Sequence, residues 1–367
     1  MHPQEVAMQP IPPEEIRRIL IRAANWVGDA VMSTPMIRAV RRGFPHAEIF
    51  LLAKPWVSPV FERSPDIDRI LTYDAGGRHA SPRGILRLCR ELRPYRFDLA
   101  VLVQNAFEAA LIARLAGIPR RLGYDTDGRT LLLTHAVPMT RRMKLRHQID
   151  YYLGVTEGAG IRSFGRETTL FVSPAERRRA DRILREAGLD QTDGIIGLNP
   201  GAAFGGAKRW PAERFAELGR RLRRRCPHRP VVIFGGPGET DLGCAIRREI
   251  GDGAVSLAGR TRLREALALI ERCRLFVTND SGLMHAADAL DIPLVAIFGP
   301  TDHTTTSPSR PSSRLVRVPV PCSPCMKPEC PLMNPKDYHR CMRAVTVERV
   351  FHEALPFLDA GAGGHAP

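Results

Sequence analysis

The sequence contains no apolar run that approaches the ~20 residues a membrane-spanning helix needs. The best candidate, residues 97–118, is interrupted by polar and charged side chains, namely Asp98, Gln104, Asn105, Glu108 and Arg114. We interpret this segment as a strand followed by an amphipathic helix. The first residues also lack the basic segment and the apolar stretch of a secretion signal. We therefore expect a cytoplasmic protein.

Aromatic residues and lysine are scarce. Phe, Trp and Tyr form 6% of the chain, and no stacking module or recognition helix is visible, which argues against nucleic-acid binding. Almost all of the 54 basic residues are arginine. The net charge of +15 nevertheless favours a polyanionic partner. From the charge alone, this partner is one of three kinds: nucleic acid, an acidic membrane surface or a phosphorylated substrate.

Short apolar strands alternate with amphipathic helices along most of the chain. The predicted strands are residues 17–24, 48–54, 98–103, 195–201, 231–236, 255–259, 275–280 and 293–300. One long helix is predicted over residues 29–44. This alternation predicts parallel sheets covered by helices. We expect an α/β protein with two doubly wound, Rossmann-like domains facing a central cleft.

The domain boundary follows from a polar segment at residues 171–194, after which the strand pattern restarts. We expect a loose tail at 1–16, an N-terminal domain at 17–185, a C-terminal domain at 186–358 with a Cys-rich loop at 322–341, and a loose tail at 359–367. Ligands of such sheets bind outside the carboxyl ends of the strands. Functional residues are therefore expected at the strand ends.

The segment VTNDSGLMHAADAL, residues 277–290, joins a strand end to a helix start. Asp280 and Ser281 are residue types that cap a helix N-terminus, and Gly282 permits the close approach of another group. We expect His285, in the first helical turn, to face the same opening. A helix start built from small residues binds anions with its free N–H groups and its dipole.

Three further strand ends carry charged residues beside glycines. In NWVGDAV, Asp29 is either a helix-capping carboxylate or a general base. In the loop NPGAAFGGAKRWP, Lys208 is placed to neutralise phosphate, although the P-loop spacing is absent. In FGGPGETDLG, Glu239 either accepts hydrogen bonds from ribose hydroxyls or begins a helix. Because the loops of the second domain share one sheet edge, they favour a nucleotide diphosphate as ligand.

The strings NWVGDAVMSTP, PGAAFGGAKRWP, VTNDSGLMHAADAL and PLVAIFGPT, in this order and at these separations, resemble the bacterial lipopolysaccharide heptosyltransferases of glycosyltransferase family 9. The resemblance extends from about residue 17 to residue 355. It implies a GT-B fold and an inverting, metal-independent transfer of L-glycero-D-manno-heptose from ADP-heptose. The implied acceptor is the heptosyl-Kdo2-lipid A inner core, at the cytoplasmic surface of the inner membrane.

The resemblance also implies roles for the strand-end residues. Asp29, in the acceptor-binding N-terminal domain, takes the proton from the attacking hydroxyl. Lys208, in the nucleotide-sugar-binding C-terminal domain, neutralises the leaving diphosphate. The implied donor-binding residues are Glu239, Asp280, Ser281, Gly282 and His285.

A basic cluster begins the segment RRMKLRHQIDYYLG, residues 141–154, with Arg141, Arg142, Lys144 and Arg146. These side chains are candidates for contact with the acidic groups of the acceptor and with the membrane, and the alternative is a solvated helix start. The string YDTDG matches a D-x-D metal motif superficially. We interpret its Asp125 and Asp127 as turn residues.

The Cys-rich loop has the spacing C-x2-C-x4-C-x10-C, with His339 nearby. The candidate ligands of a structural zinc ion are Cys322, Cys325, Cys330 and Cys341. Four reduced thiols without metal, or an iron–sulfur cluster, are the alternatives. No cofactor is expected to be required for catalysis. The other cysteines are expected to be buried; they are Cys89, Cys226, Cys244 and Cys273.

Other functions remain open from the sequence alone. Heptosyltransferases I and III, or transferases of a different nucleotide sugar, carry related motifs. A basic, zinc-stabilised nucleic-acid-binding protein fits the charge and the Cys-rich loop, but not the scarcity of aromatic residues. We expect ADP-heptose, a phosphorylated Kdo-lipid A acceptor and the inner-membrane surface as partners, and no nucleic acid.

Overall fold

The computed structural model describes residues 10–189 and 193–359 and divides the chain into two compact units, Met1–Leu170 and Phe171–Pro367. This boundary precedes the expected one near residue 185, because the helix Pro174–Glu186, which lies between the two positions, packs in the second unit. Within that helix, Arg177 Nε donates to Glu271 at 2.7 Å, and Asp181 accepts from Arg272 Nε at 2.8 Å.

The first unit is built on a six-stranded sheet in the order β3-β2-β1-β4-β5-β6, with parallel neighbours throughout. Its strands are β1 Arg18–Arg22, β2 Glu48–Ala53, β3 Arg69–Thr72, β4 Leu99–Leu102, β5 Arg120–Tyr124 and β6 His135–Val137. Its helices are α1 Val27–Met32, α2 Thr34–Gly43, α3 Ser81–Leu92, α4 Phe107–Leu115, α5 Arg141–Lys144 and α6 Gln148–Glu157.

The second unit repeats this architecture, with a parallel sheet in the order β12-β11-β10-β7-β8-β9. Its strands are β7 Ile195–Asn199, β8 Val231–Ile233, β9 Ala254–Ser256, β10 Cys273–Asn279, β11 Leu294–Ile297 and β12 Ser313–Val316. Its helices are α7 Pro174–Glu186, α8 Ala212–Arg225, α9 Thr240–Ile250, α10 Leu263–Ile270, α11 Gly282–Ala289, α12 His303–Thr306, α13 Arg340–Arg343 and α14 Val347–Asp359.

The central strands are apolar along their length because helices cover both faces of each sheet. All residues of β4 and β7 are buried, which is the pattern of parallel strands inside an α/β layer structure. The cores of the two units are separate clusters, one around Phe50 and Leu102 and one around Trp210 and Phe215. The predicted β–α alternation is therefore confirmed in both units.

The helix predicted over residues 29–44 is two helices, α1 and α2, that meet at Ser33. The N–H of Ser33 donates a hydrogen bond to the carbonyl of Asp29 at 2.9 Å, and α1 ends there. Pro35 then lies in the first turn of α2, where its missing N–H does not interrupt a helical hydrogen bond. The single-helix prediction was wrong because proline restarts the helix at this point. No helix of the described part of the chain is long and apolar enough to span a membrane.

Candidate active site

Four loops of the second unit leave the same edge of the sheet, because they follow the parallel strands β7, β8, β10 and β11. Strand β10 lies between β7 and β11, with Thr278 opposite Asn199 and Asn279 opposite Ile297. The Asn279 side chain, at the end of β10, connects to the loop that follows β7, since its Nδ2 donates to the carbonyl of Pro200 at 2.7 Å. Motifs that are distant in sequence are thus brought together, as expected.

Lys208 and Asp280 form an ion pair at the centre of this edge. Lys208 Nζ lies 2.6 Å from Asp280 Oδ2, and the side chains are 14% and 6% exposed. The Thr301 hydroxyl donates to the same carboxylate oxygen at 2.7 Å. Asp280 is thereby held from two loops, and it fixes the position of the Lys208 ammonium. The sequence pointed to each of these two residues but not to their pairing.

Ser281 caps helix α11 as predicted. Its Oγ accepts a hydrogen bond from the N–H of Met284 at 3.4 Å, and Asn199 Nδ2 donates to the same Oγ at 2.8 Å. Gly282 is the first helical residue and is partly exposed. The N-terminus of α11 therefore adjoins the Lys208–Asp280 pair, so a helix dipole and a lysine ammonium favour the same ligand charge.

His285 lies one turn into α11, after the Ser281 cap. It is 6% exposed and lies in the interior on α11. That it faces the opening of the junction stays a prediction. Thr301, which the sequence reasoning did not select, also lies at the site, through its hydrogen bond to Asp280. Its position after the apolar run of β11 was the available signal.

Glu239 lies beside the Gly-rich loop that follows β7. Its Oε2 accepts a hydrogen bond from the N–H of Gly236 at 2.8 Å, so the carboxylate caps the turn before α9. A Cβ at Gly201 would lie 2.0 Å from Glu239 Oε1, so a larger residue there would displace the carboxylate. The Arg209 guanidinium lies 3.7 Å away from the same carboxylate. Glu239 therefore borders the same edge of the sheet as Lys208.

Asp29 lies in the first turn of α1, at the carboxyl edge of the first unit's sheet. The hydroxyl of Tyr152, on α6, donates to Asp29 Oδ1 at 2.8 Å. Burial raises the pKa of Tyr152 well above its usual value, with the Asp29 charge as the next cause, so the phenol stays protonated as the donor. Sequence reasoning missed Tyr152, because nothing in an apolar helical segment indicates which distant carboxylate it meets.

One member of the predicted basic cluster lines a cavity. Lys144 borders a cavity of about 610 Å³ in the first unit, together with Asn105 and Tyr151. Arg141 and Arg142 are exposed, and Arg146 is partly exposed. The cluster therefore combines one cavity-lining cation with solvated ones.

The D-x-D string forms a turn at the rim of this cavity. Asp125 Oδ1 accepts a hydrogen bond from the N–H of Met139 at 2.7 Å, and Asp127 has a left-handed backbone with φ of 55°. Both are features of turn residues. Within residues 10–189 and 193–359, no group of three or more His, Cys, Asp or Glu side chains is arranged to hold a metal ion. The interpretation of this string as a turn agrees with the geometry.

The Cys-rich loop packs on the loop that carries Lys208. The N–H of Ala207 donates to the carbonyl of Pro328 at 2.9 Å, and the N–H of Gly206 donates to Glu329 Oε1 at 2.9 Å. The same segment also holds the loop that follows β11, since the N–H of Cys325 donates to the carbonyl of Pro300 at 3.0 Å. The Cys-rich loop thus supports two of the loops around Asp280, which the sequence did not indicate.

The four thiols of this loop differ in environment. Cys341 is buried, which raises the pKa of its thiol to about 11, and Cys322, Cys325 and Cys330 are half-buried. Their arrangement does not add support to the zinc prediction. Of the scattered cysteines, three are buried as expected, but Cys244 is exposed because it lies on the outer side of α9.

Comparison with known proteins points to one family. The model of glycosyltransferase family 9 (heptosyltransferase) matches residues 85–335. Lipopolysaccharide heptosyltransferase 2 of Salmonella typhimurium is 31% identical over 353 residues, which cover 93% of this chain and 99% of the relative.

Two solved structures share this fold over more than nine tenths of the chain. Escherichia coli ADP-heptose LPS heptosyltransferase II superposes with a TM-score of 0.77 at 30% identity, over 93% of this chain and 98% of that one. A glycosyltransferase family 9 protein of Veillonella parvula has a TM-score of 0.83 at 24% identity, with coverages of 95% and 98%, and shows the fold alone. The prediction of two doubly wound α/β domains of the GT-B class is confirmed.

Proposed function

The chain belongs to glycosyltransferase family 9, and on this premise we propose that it transfers L-glycero-D-manno-heptose from ADP-heptose to the heptosyl-Kdo2-lipid A inner core. It is a heptosyltransferase of lipopolysaccharide core biosynthesis, as are its relatives. The donor, the individual acceptor, the stereochemistry and the independence from metal are the proposed parts.

The Lys208–Asp280 pair at the N-terminus of α11 is the observation that carries the proposal. When the glycosidic bond breaks, the bonding electrons leave with ADP, and negative charge increases on the diphosphate. Lys208 and the first N–H groups of α11 are already in place to stabilise that charge. Because the charge grows towards the transition state, these contacts lower the barrier rather than only tightening donor binding.

Asp29 supplies the base. The acceptor hydroxyl oxygen attacks the anomeric carbon, the bond from that carbon to the diphosphate oxygen breaks, and the hydroxyl proton passes to the Asp29 carboxylate. A single displacement of this kind inverts the anomeric configuration. Tyr152 holds the carboxylate in one orientation through its hydrogen bond to Oδ1. We assign to Glu239 the contact with the donor ribose.

Transfer by this route requires no divalent cation. In transferases that use one, the cation neutralises the leaving diphosphate, and here Lys208 and the helix N-terminus supply positive charge to the same group. A structural zinc ion in the Cys-rich loop remains a separate prediction, which metal analysis of the purified protein tests.

The basic cluster of residues 141–146 is proposed to meet the anionic acceptor at the inner-membrane surface. Its exposed cations are followed by Leu145, which is 70% exposed. Cationic side chains beside an exposed apolar one bind anionic lipid surfaces through charge and shallow insertion. This supports a peripheral position on the cytoplasmic face of the inner membrane.

The test is heptosyl transfer to heptosyl-Kdo2-lipid A in the presence of EDTA, with wild type, Asp29→Asn and the control Asp252→Asn. Asp252 is an exposed carboxylate on the loop before β9. We expect transfer by wild type and the control, and loss of transfer in Asp29→Asn with thermal protection by ADP retained. Equal transfer by all three proteins would overturn the assignment of the base. Transfer only to a different acceptor would indicate another heptosyltransferase of the family.

A further inference from the structure

Two of the chain's three tryptophans are exposed, and one of them begins the helix that carries Asp29. Trp26 is 59% exposed and Trp56 is 53% exposed, whereas the third tryptophan is buried in the core of the second unit. Trp26 is the N-cap residue of α1, whose first turn carries Asp29. The indole Nε1 of Trp56 donates to the carbonyl of Asn25 at 3.0 Å, so both indoles lie on adjoining segments. Large aromatic side chains left exposed at one place mark a binding surface.

A lysine lies over one of these rings. Lys54 follows β2, and its Nζ is 5.1 Å from the centre of the Trp56 ring. Among the residues that the structure describes, no hydrogen bond or ion pair engages this ammonium group. Partial burial lowers the pKa of Lys54, and the nearby Arg22 adds to that shift. The Lys54 ammonium is therefore a cation that lies close to the Arg22 guanidinium and over the exposed indole of Trp56.

The segment under the indoles is held rigidly by the buried Arg22. Its Nη2 donates to Asn25 Oδ1 at 3.2 Å, and its Nη1 donates to the carbonyl of Ala23 at 2.7 Å. Tyr73, under the Arg22 guanidinium at 5.0 Å, donates its hydroxyl to Glu108 at 2.6 Å. The side chains around Lys54 thus carry two positive charges, on Arg22 and Lys54, and one negative charge, on Glu108. The local electrostatic field therefore favours the binding of an anion.

We propose that Trp26, Lys54 and Trp56 form the subsite that receives an anionic saccharide, the acidic sugar portion of the acceptor. The proposal rests on the proposed function. The apolar faces of a pyranose pack on the indole rings, and the Lys54 ammonium pairs with a carboxylate or phosphate of the sugar. Trp26 and Asp29 lie within one helical turn, about 5.4 Å of rise. In this proposal, the sugar on the indoles therefore lies near the Asp29 carboxylate.

The kinetic test uses a de-acylated heptosyl-Kdo2 acceptor, so that attachment to a membrane does not contribute. Trp26→Leu, Trp56→Leu and Lys54→Met are each expected to raise the acceptor KM about tenfold or more, with the donor KM and the thermal protection by ADP unchanged. The matched controls are Phe164→Leu, an exposed aromatic of the same unit, and Lys336→Met, an exposed lysine. Neither control is expected to change either KM.

A binding test without donor separates the subsite from the reaction. The acceptor saccharide is expected to quench the tryptophan fluorescence of wild type, and each Trp variant is expected to lose part of that change. Free Kdo carries a carboxylate, and glucose 6-phosphate carries a phosphate. The compound that competes with the acceptor saccharide for binding identifies the anion that the subsite prefers. This competition is expected to be lost in Lys54→Met.

Three results would count against these assignments. Transfer with an unchanged acceptor KM in all three variants would overturn the subsite and leave the function intact. The same result with reduced binding to anionic lipid vesicles would assign the indoles to a membrane surface instead, and would also overturn the subsite. Absence of any transfer by wild type would overturn the proposed function itself.

Discussion

Removing Lys208 separates its structural role from its catalytic one. In Lys208→Met, the Asp280 carboxylate keeps its hydrogen bond from Thr301 but loses the ammonium 2.6 Å away. Breaking a buried ion pair from one side costs about 3–5 kcal/mol of folding stability. We expect the lower end, about 3 kcal/mol, because the Thr301 bond remains. The loss of preorganised positive charge is expected to lower kcat by about 10²–10³.

The double variant Lys208→Met/Asp280→Asn distinguishes the two effects. Asparagine keeps an oxygen for Thr301 without burying an unpaired charge, so thermal unfolding should return to within about 1 kcal/mol of wild type. The kcat measured with ADP-heptose should stay low, because the stabilising cation is still absent. Recovery of kcat together with stability in the double variant would refute the catalytic role of Lys208. An unchanged kcat in Lys208→Met, with only its stability reduced, would refute it as well.

Three further predictions address the residues around the two sheet edges. Tyr152→Phe should lower kcat/KM about tenfold and move the acid limb of the kcat/KM pH profile to higher pH, because the Asp29 carboxylate loses the hydrogen bond that Tyr152 donates. An unmoved limb would exclude this positioning role of Tyr152. Gly205→Ala should lower kcat, because its φ is 152° and a Cβ would lie 2.2 Å from the Pro328 carbonyl oxygen, whereas Gly238→Ala, with open space around it, should not. Among the loop thiols, Cys341 should react last with iodoacetamide at pH 8, and faster as the pH rises towards its pKa of about 11. Equal protection of all four thiols in mass spectra would instead favour bound zinc.

Much of the fold was predictable because central parallel strands are apolar on both faces. Strands such as β7 stand out as short apolar runs between glycines and helices. The edge strands β3 and β12 were not singled out, because they are partly exposed and two of the four residues in each are polar. The break between α1 and α2 was missed although Pro35 signalled it.

The candidate site was predictable residue by residue but not contact by contact. Capping residues such as Ser281 have a local signal, since the interaction spans three positions along the chain. The partners Lys208 and Asp280 are 72 positions apart, and they meet only because β10 lies beside β7 in the sheet. The hydrogen bond between Tyr152 and Asp29 spans 123 positions and has no counterpart in any local pattern.

The most direct test of the central claim is the structure of the reaction product. Wild-type protein is incubated with ADP-heptose and heptosyl-Kdo2-lipid A in EDTA, and the product is analysed by mass spectrometry and NMR. We predict the addition of one heptose with inverted anomeric configuration and the release of one ADP per transfer. Retained configuration, or transfer that appears only after a divalent cation is added, would contradict it.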